Sequence, residues 1–174
     1  MGAQAQDDRV VRVVVCDTGP VLHLAEAGAL GLLEKTGEVL IPATVDHEIA
    51  RHIQDWPSRR PNWLRVDSAH QPMAQLEQWA AQIDLGAGEL EALVLAKSRA
   101  ADWLLTDDAT ARVVATLLGL EVHGSLGVVL WAAGRAHISR PEAEAILQRL
   151  AGSSLWISPT ILAEARRALE ALQP

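Results

Sequence analysis

Residues 10–20 have the sequence VVRVVVCDTGP, and this stretch decides the fold. Residues 10–16 are almost continuously apolar and β-branched, a pattern typical of a strand that is buried on both faces of a parallel sheet. The strand ends at Asp17, because the following Thr18, Gly19 and Pro20 favour a turn and a helix start. Thr18 is a suitable helix cap there, and Pro20 is tolerated in a first helical turn. The stretch therefore predicts a strand–helix unit with an acid at the carboxyl end of its strand.

Strands and helices are expected to alternate along the rest of the chain. Further strands are predicted at residues 38–41, 64–67, 102–106 and 120–123. Helices are predicted at residues 20–35 with a break near Gly28, and at 42–53, 72–83, 89–99, 108–118, 124–133, 140–150 and 159–172, whereas residues 56–61 are predicted to be a loop. This alternation indicates an α/β protein with a mostly parallel central sheet.

Composition narrows the class of protein further. The chain has 174 residues, of which 49% are hydrophobic, and it contains one cysteine, Cys16, so an intrachain disulfide framework and a cysteine zinc cluster are excluded. The net charge of −7 argues against a broad basic surface for nucleic acid. No apolar run is long enough to span a bilayer. Asp7 and Asp8 stand where a secretory signal would carry positive charge, so we expect a cytoplasmic protein with no membrane association.

The chain is expected to form one domain with additions at both ends. Residues 1–8 are polar and predicted to be a flexible N-terminal tail. Residues 9–152 are predicted to form the functional domain. Residues 153–174 are predicted to be a C-terminal helical extension that packs on the same domain.

Acidic residues follow two of the predicted strands directly. Asp17 follows the first strand, and Asp107 and Asp108 follow the strand at 102–106. In open α/β sheets, ligands bind at the carboxyl edge of the strands, near the point where the strand order reverses. Glu48 and Glu89 lie on predicted helices, the latter close to a helix N-terminus. Each acid alone has an ordinary explanation as a turn residue, helix cap or solvated side chain.

The joint pattern is more informative than any one acid. Carboxylates gathered at one sheet edge raise each other's pKa unless a cation compensates their charge. Oxygen ligands of this kind select Mg²⁺ or Mn²⁺ rather than Zn²⁺. The sequence therefore indicates a site for a hard divalent cation.

An ordered series of motifs resembles the PIN domain. The motifs are Val15-Cys16-Asp17-Thr18-Gly19-Pro20, Leu40-Ile41-Pro42 followed by Val45 and Glu48, Gly88-Glu89 followed by Glu91-Ala92 and Leu95-Ala96, and Leu104-Leu105-Thr106-Asp107-Asp108. The series is similar to a branch of predicted nucleases and toxin components in which an arginine and a Gly-Ser-Leu-Gly turn follow. Arg112 and residues 124–127 match these features. The resemblance covers about residues 10–150.

The resemblance implies a Rossmann-like, three-layer α/β/α fold and a metal-dependent endoribonuclease. Such proteins are often the toxin of a toxin–antitoxin pair and commonly form homodimers, so RNA, an antitoxin protein and a second copy of the chain are the implied partners. The implied catalytic residues are Asp17, Glu48, Glu89, Asp107 and Asp108. The third acid is commonly Asp in PIN nucleases, whereas this chain has Glu89, and the doublet leaves open which acid occupies the fourth position.

Each implied residue has a specific role. Asp17, Glu89 and Asp107 or Asp108 would hold Mg²⁺ or Mn²⁺, and Glu48 would orient a water or a second ion in a two-metal hydrolysis that leaves 5′-phosphate and 3′-hydroxyl ends. Thr18 and Ser125 would support the site by hydrogen bonding, or serve only as helix caps. Arg112 would contact substrate phosphate or an acid, or form an ordinary surface ion pair.

Other patterns in the sequence suggest alternatives or additions to a PIN-like nuclease. His47 and His52 flank Glu48 with one residue too many for a zincin motif, because positions five apart lie about 140° apart on a helix. Trp56 and Trp63 flank a basic loop and would stack on bases if they were exposed. A catalytically weak PIN-like RNA-binding or regulatory module remains the main alternative. A phosphotransfer domain is less favoured, because Asp17-Thr18-Gly19 offers neither an acidic pair nor a D-x-D motif.

Overall fold

A computed structural model describes residues 13–68 and 73–172, which form a five-stranded, all-parallel sheet with helices on both faces. The strands are β1 (Val13–Cys16), β2 (Glu38–Pro42), β3 (Leu64–Asp67), β4 (Trp103–Leu105) and β5 (Val122–His123). The helices are α1 (Thr18–Glu26), α2 (Ala43–His52), α3 (Trp56–Arg59), α4 (Ala74–Ala80), α5 (Ala87–Ser98), α6 (Ala109–Leu117), α7 (Ser125–Gly134), α8 (Arg140–Ala151) and α9 (Pro159–Ala171), with a 3₁₀ helix at Leu30–Thr36.

The strand order β3-β2-β1-β4-β5 fixes where a ligand can bind. The chain runs from β1 outward to β3, then crosses back to β4 on the other side of β1. The strand order therefore reverses between β1 and β4, which is where open α/β sheets place their ligand sites. Cys16 is in register with Leu105 in this pair, and the Asp17 amide donates to the Leu105 carbonyl at 2.9 Å. The residues that follow β1 and β4 are thus neighbours at one sheet edge.

Two apolar layers enclose the sheet and explain the uninterrupted apolar run at residues 13–16. Val14 and Cys16 face one layer, which includes residues of α1, α2 and α7–α9. Val15 faces the other layer, formed mainly by α5 and α6. Because successive side chains of a strand point to opposite faces, both faces of β1 must be apolar. The three-layer α/β/α fold predicted from the sequence is confirmed.

The C-terminal helices pack on the domain that the strands build. Ala165 and Leu169 of α9 are buried in the same apolar cluster as Val14 and Cys16 of β1. Helix α8 begins with a capping box, in which the Ser139 side chain and Glu142 satisfy each other's backbone amides. No helix of the described residues is long and apolar enough to cross a membrane.

Two local predictions differ from the structure and a third is confirmed. The loop predicted at 56–61 is wrong, because Trp56–Arg59 form the short helix α3, in which Trp56 is buried. Thr18 is not the cap of α1; Asp17 is, since its side chain accepts from the Thr18 amide. The predicted break near Gly28 is confirmed, because Gly28 has a φ of +65° between α1 and the 3₁₀ helix. The predicted tail at 1–8 and the predicted helix start at residue 72 lie outside the described residues.

Candidate active site

A pocket lies at the carboxyl edge of the sheet where the strand order reverses. Its acidic lining residues are Asp17, Glu48, Glu89, Asp107 and Asp108. They come from the ends of β1 and β4 and from helices α2 and α5, so the structure gathers every acid that the sequence indicated. Thr18, Gly19 and His23 of α1 also line the pocket, together with Ser154, Leu155 and Trp156 from the link between α8 and α9.

Asp17 is the most deeply placed acid of the pocket, with only 4% of its surface exposed. One carboxylate oxygen accepts from the Thr18 amide at 2.7 Å, and the other accepts from the Thr106 hydroxyl at 2.9 Å. The pKa of Asp17 is raised to about 7, chiefly by burial and also by the neighbouring charges of Glu89 and Glu48, against the lowering effect of these hydrogen bonds. Asp17 is therefore fixed in position and electrostatically unfavourable when ionised.

The pKa of Asp107 is shifted in the opposite direction from that of Asp17. Burial alone would raise the pKa of Asp107, but hydrogen bonds from His23 and from the hydroxyl and amide of Ser125 outweigh it and hold the pKa below its ordinary value. The Ser125 amide donates to Oδ1 at 2.7 Å and its hydroxyl donates to Oδ2 at 2.6 Å. A Cβ at Gly124 would lie 2.6 Å from Oδ1, so only glycine leaves room for this carboxylate. Asp107 is thus an ionised acid whose carboxylate is enclosed by His23, Ser125 and Gly124.

His23 is a site residue that sequence reasoning missed. Its Nδ1 lies 2.7 Å from Asp107 Oδ2, and because an ionised carboxylate only accepts, Nδ1 carries the proton of this hydrogen bond. The signal for His23 is its spacing, since Gly19 lies four residues earlier on the same face of α1. A Cβ at Gly19 would contact both His23 and Asp107 at about 3.5 Å, so the three residues form one packed unit.

Glu48 reaches the pocket from the middle of α2. Its Oε2 accepts from the Thr18 hydroxyl, which connects the helix-borne acid to the residue beside Asp17. Gly88 in the first turn of α5 packs directly against this carboxylate, because a Cβ at that position would lie 2.6 Å from Glu48 Oε2. The glycine before Glu89 therefore has a packing reason in addition to its place at the helix start. Of the two histidines that flank Glu48, neither His47 nor His52 lines the pocket.

Glu89 lies in the first turn of α5, where an acid is favoured by the helix dipole. Its carboxylate folds back over Gly86, since a Cβ on Gly86 would lie 2.1 Å from Glu89 Oε2. Glu91, two residues later, is exposed and does not line the pocket. Glu89 and Glu48 are both half-buried, so their side chains have more freedom than those of Asp17 and Asp107.

The structure separates the two members of the acidic doublet. The Asp107 carboxylate is held by His23 and Ser125, whereas Asp108 is the N-cap of α6 and accepts from the Ala111 amide at 2.7 Å. Asp108 still lines the pocket wall. Arg112 donates to the Thr106 carbonyl at 3.2 Å. Among the described residues, Arg112 has no carboxylate partner, so the ion pair considered from the sequence is not formed there.

The proposed stacking role of Trp56 is wrong. Trp56 is 2% exposed and its indole Nε1 donates to Asp46 at 2.8 Å. Trp63 is half-buried and packs against the apolar core. The Asp46 carboxylate also pairs with Arg60 at 2.7 Å. Trp56 and Arg60 thus join α3 and the residue after it to α2 through Asp46.

Among the described residues, the acids that line the pocket supply carboxylate oxygens, but they are not gathered into one metal-binding group. Within residues 13–68 and 73–172, no three His, Cys, Asp or Glu side chains form a group that could hold a metal ion as they stand. The pocket nevertheless suits a hard cation such as Mg²⁺, because such cations prefer oxygen ligands and Glu89 and Glu48 place carboxylates near Asp17. A cation bound beside Asp17 would offset the burial of its charge and its repulsion by Glu89 and Glu48, which together raise the pKa of Asp17.

The fold and the pocket define an α/β protein with an acidic site at the switch point of a parallel sheet. A family model described as DUF3368, PIN domain, matches residues 13–171, so the chain belongs to this PIN-domain family. PIN domains are generally nucleases and typically use divalent metal ions. No curated protein and no solved structure shows significant similarity to the chain.

Proposed function

We propose that this protein is a divalent-cation-dependent endoribonuclease that hydrolyses RNA phosphodiester bonds at the carboxylate pocket. The observation that supports it best is the burial of Asp17 beside Glu48 and Glu89, at the switch point of the sheet. Burying carboxylates that repel one another costs stability, so their presence points to a positive charge that the site receives when it works.

The residues proposed to hold Mg²⁺ or Mn²⁺ are Asp17, Glu89 and Asp107. When bound, the ion would lower the pKa of a water molecule and neutralise the negative charge that develops on the leaving oxygen. Glu48 is proposed to orient the attacking water, since the Thr18 hydroxyl holds its carboxylate near Asp17. Ser125 and His23 position Asp107, and Asp108 is proposed to act on the site chiefly by starting α6.

The finer biological role is also part of the proposal. A toxin of a toxin–antitoxin pair, an antitoxin partner, a homodimer and a cytoplasmic location are supported by the resemblance of the motifs rather than by a contact in the fold. The molecular mass of the protein in solution tests the homodimer. Encoding beside a small antitoxin-like reading frame, with relief of growth inhibition when both are expressed, tests the toxin role.

A second candidate function is a catalytically weak RNA-binding or regulatory module. It is favoured by two observations on the described residues: no group of acids is already arranged as a metal site, and Glu89 replaces the more common Asp. The longer Glu89 side chain folds back over Gly86 at the start of α5. The two candidates share the same pocket and differ only in whether bound RNA is cut.

The test is cleavage of a mixed pool of structured and single-stranded RNA by the full chain with Mn²⁺, with Mg²⁺ and with EDTA. We expect cutting with metal, none with EDTA, and a loss on the order of 10³-fold in Asp17→Asn. The matched control is Glu91→Gln, which removes an exposed acid of α5 outside the pocket and should cut normally.

Two further arms separate the alternatives. Single-stranded DNA of the same sequence tests whether the activity requires RNA, and a small aryl phosphate tests for a phosphatase. Turnover of the aryl phosphate without cleavage of RNA would contradict the nuclease. RNA binding by folded, metal-saturated protein without any cleavage would favour the binding module.

A further inference from the structure

A second cavity of ≈ 460 Å³ adjoins the carboxylate pocket and shares four lining residues with it, namely Asp107, Ala109, Leu155 and Trp156. Its remaining walls are mostly apolar and include Leu126, Ile157 and Ile161. Arg112 and His123 supply polar groups at the side nearest β4 and β5. We call this cavity the Trp156 groove. It continues the carboxylate pocket along the edge of the sheet.

Trp156 is exposed although the residues on either side of it are anchored. Leu155 and Ile157 pack against the core, whereas Trp156 has 82% of its surface exposed. Of the tryptophans whose side chains are described, Trp56 and Trp103 are buried and Trp63 and Trp131 are half-buried. Exposing a whole indole leaves a large apolar surface in water, which is unfavourable unless the ring receives a partner.

The segment that carries Trp156 is fixed to the body of the domain beside the site. The Ser154 amide donates to Glu26 at 2.7 Å, and its hydroxyl donates to the same carboxylate at 2.8 Å. The preceding Arg149 donates to the Ala27 carbonyl at 2.7 Å. Both contacts join the end of α8 to the end of α1, the helix that begins at Asp17. The position of the indole relative to the carboxylates is therefore set by the fold.

We propose that the Trp156 groove is a nucleobase subsite, in which Trp156 stacks on an unpaired base next to the scissile phosphate while Arg112 contacts a flanking phosphate. This inference rests on the proposed function. The net charge of −7 argues against a broad basic surface, so we expect the affinity for single-stranded RNA to come from stacking and a few well-placed cations. The groove offers one of each, directly beside Asp107. The C-terminal extension thereby selects single-stranded over duplex RNA.

The test measures binding of a fluorescein-labelled, ten-nucleotide single-stranded RNA to the full chain in Mg²⁺, with Asp17→Asn present throughout to prevent cleavage. We expect Trp156→Ala to weaken binding roughly 5- to 150-fold, the range for loss of one stacked base. Trp156→Phe should lose less, because it keeps an aromatic face. Trp156→Leu should lose about as much as Ala, because an apolar side chain without a ring does not stack.

The probe itself supplies the specificity control. A strand of the same length in which every base is replaced by an abasic site has the same charge, so its weaker binding should be unchanged by Trp156→Ala. Arg112→Gln should instead lower the slope of log affinity against log salt by about 0.7, the value for one phosphate contact on a single strand. Because Trp156 is exposed, we expect each variant at this position to keep the wild-type circular dichroism spectrum and Tm.

Each outcome decides the proposal. Full RNA affinity in Trp156→Leu would overturn stacking, because leucine is apolar but has no aromatic face. Equal losses for the base-bearing and abasic strands would also overturn it. If the Trp156 variants bind RNA as the Asp17→Asn protein does, and the same Trp156 substitutions made without Asp17→Asn leave cleavage at the wild-type rate, the subsite is wrong and the nuclease stands. If the wild-type chain neither binds nor cuts single-stranded RNA, both the nucleobase subsite and the proposed nuclease are wrong.

Discussion

Asp17 and Asp107 stand at the ends of β1 and β4, whereas Glu48 and Glu89 reach the same pocket from helices α2 and α5. The strand-end pair is nearly buried, and hydrogen bonds from backbone and side-chain groups fix each of its carboxylates. The helix-borne pair is half-buried and is placed mainly by glycines that leave room for it. The sheet thus supplies a rigid half of the site, and the helices supply an adjustable half.

The largest expected effects come from substitutions of Asp17 and Asp107. Both substitutions should abolish most of the cleavage, but they should change the Tm in opposite directions. Both Asp17→Asn and Asp107→Asn should lose cleavage on the order of 10³-fold. Asp17→Asn should raise the Tm of the metal-free protein by at least about 2–4 °C, the shift that 1 kcal/mol gives in a domain of this size. Asp107→Asn should lower the Tm, because it removes the charged acceptor of His23 and Ser125.

The pH dependence of these two Tm differences follows from the pKa directions. The folded-state pKa of Asp17 is raised to about 7, so its contribution to stability is present below about pH 4 and is lost as pH rises toward 7. The advantage of Asp17→Asn should therefore grow over that interval. The pKa of Asp107 is lowered, so its contribution is present above its ordinary range and is lost as pH falls. Thermal melts from about pH 2 to 8 in EDTA check both signs, because the Asp107 effect lies below the ordinary pKa of an aspartate and the Asp17 effect lies above it. Parallel curves for the two variants would contradict them.

Ser125→Ala tests whether the hydrogen bond from the Ser125 hydroxyl to Asp107 matters for activity. Loss of the hydroxyl that donates to Oδ2 should reduce cleavage about 10- to 100-fold, the range for residues that orient a metal ligand. The matched control is Ser139→Ala at the N-cap of α8, which should cost about 1 kcal/mol of stability and leave the cleavage rate of folded protein unchanged. Restoration of activity in Ser125→Thr, which keeps the hydroxyl, would separate positioning from general damage to the fold.

The same contrast explains what the sequence could predict. Asp17 and Asp107 follow buried strands, and a parallel sheet brings such positions to one edge, so local patterns were sufficient to predict this half of the site. Glu48 and Glu89 depend on helix orientation, and only their motifs indicated them. The choice between Asp107 and Asp108 depends on Ser125, eighteen residues away, which no local pattern contains. His23 and Trp156 were missed because their roles arise from contacts between distant segments.

Gly88→Ala perturbs the adjustable half without removing an acid. The new Cβ would lie 2.6 Å from Glu48 Oε2, so the glutamate must turn away from the Thr18 hydroxyl. Because the obstructing atom is the end of a flexible side chain and alanine favours helix, the fold should be as stable as the wild type or more so. Cleavage should fall roughly tenfold. Gly31→Ala is the control, since a Cβ there meets nothing within 4 Å, and an equal loss of activity in both variants would contradict a role for Glu48.

Asp108 should give the smallest effect on chemistry, although it is adjacent to Asp107 and lines the same pocket. Its carboxylate accepts from the Ala111 amide as the cap of α6, and asparagine caps a helix as well as aspartate does. Asp108→Asn should therefore keep both the Tm and, within about twofold, the cleavage rate. Asp108→Ala should lose about 1 kcal/mol of stability, because the amide loses its acceptor. A fall in cleavage in Asp108→Asn comparable with that of Asp107→Asn would show that the site uses both acids, and that Asp108 does more than cap α6.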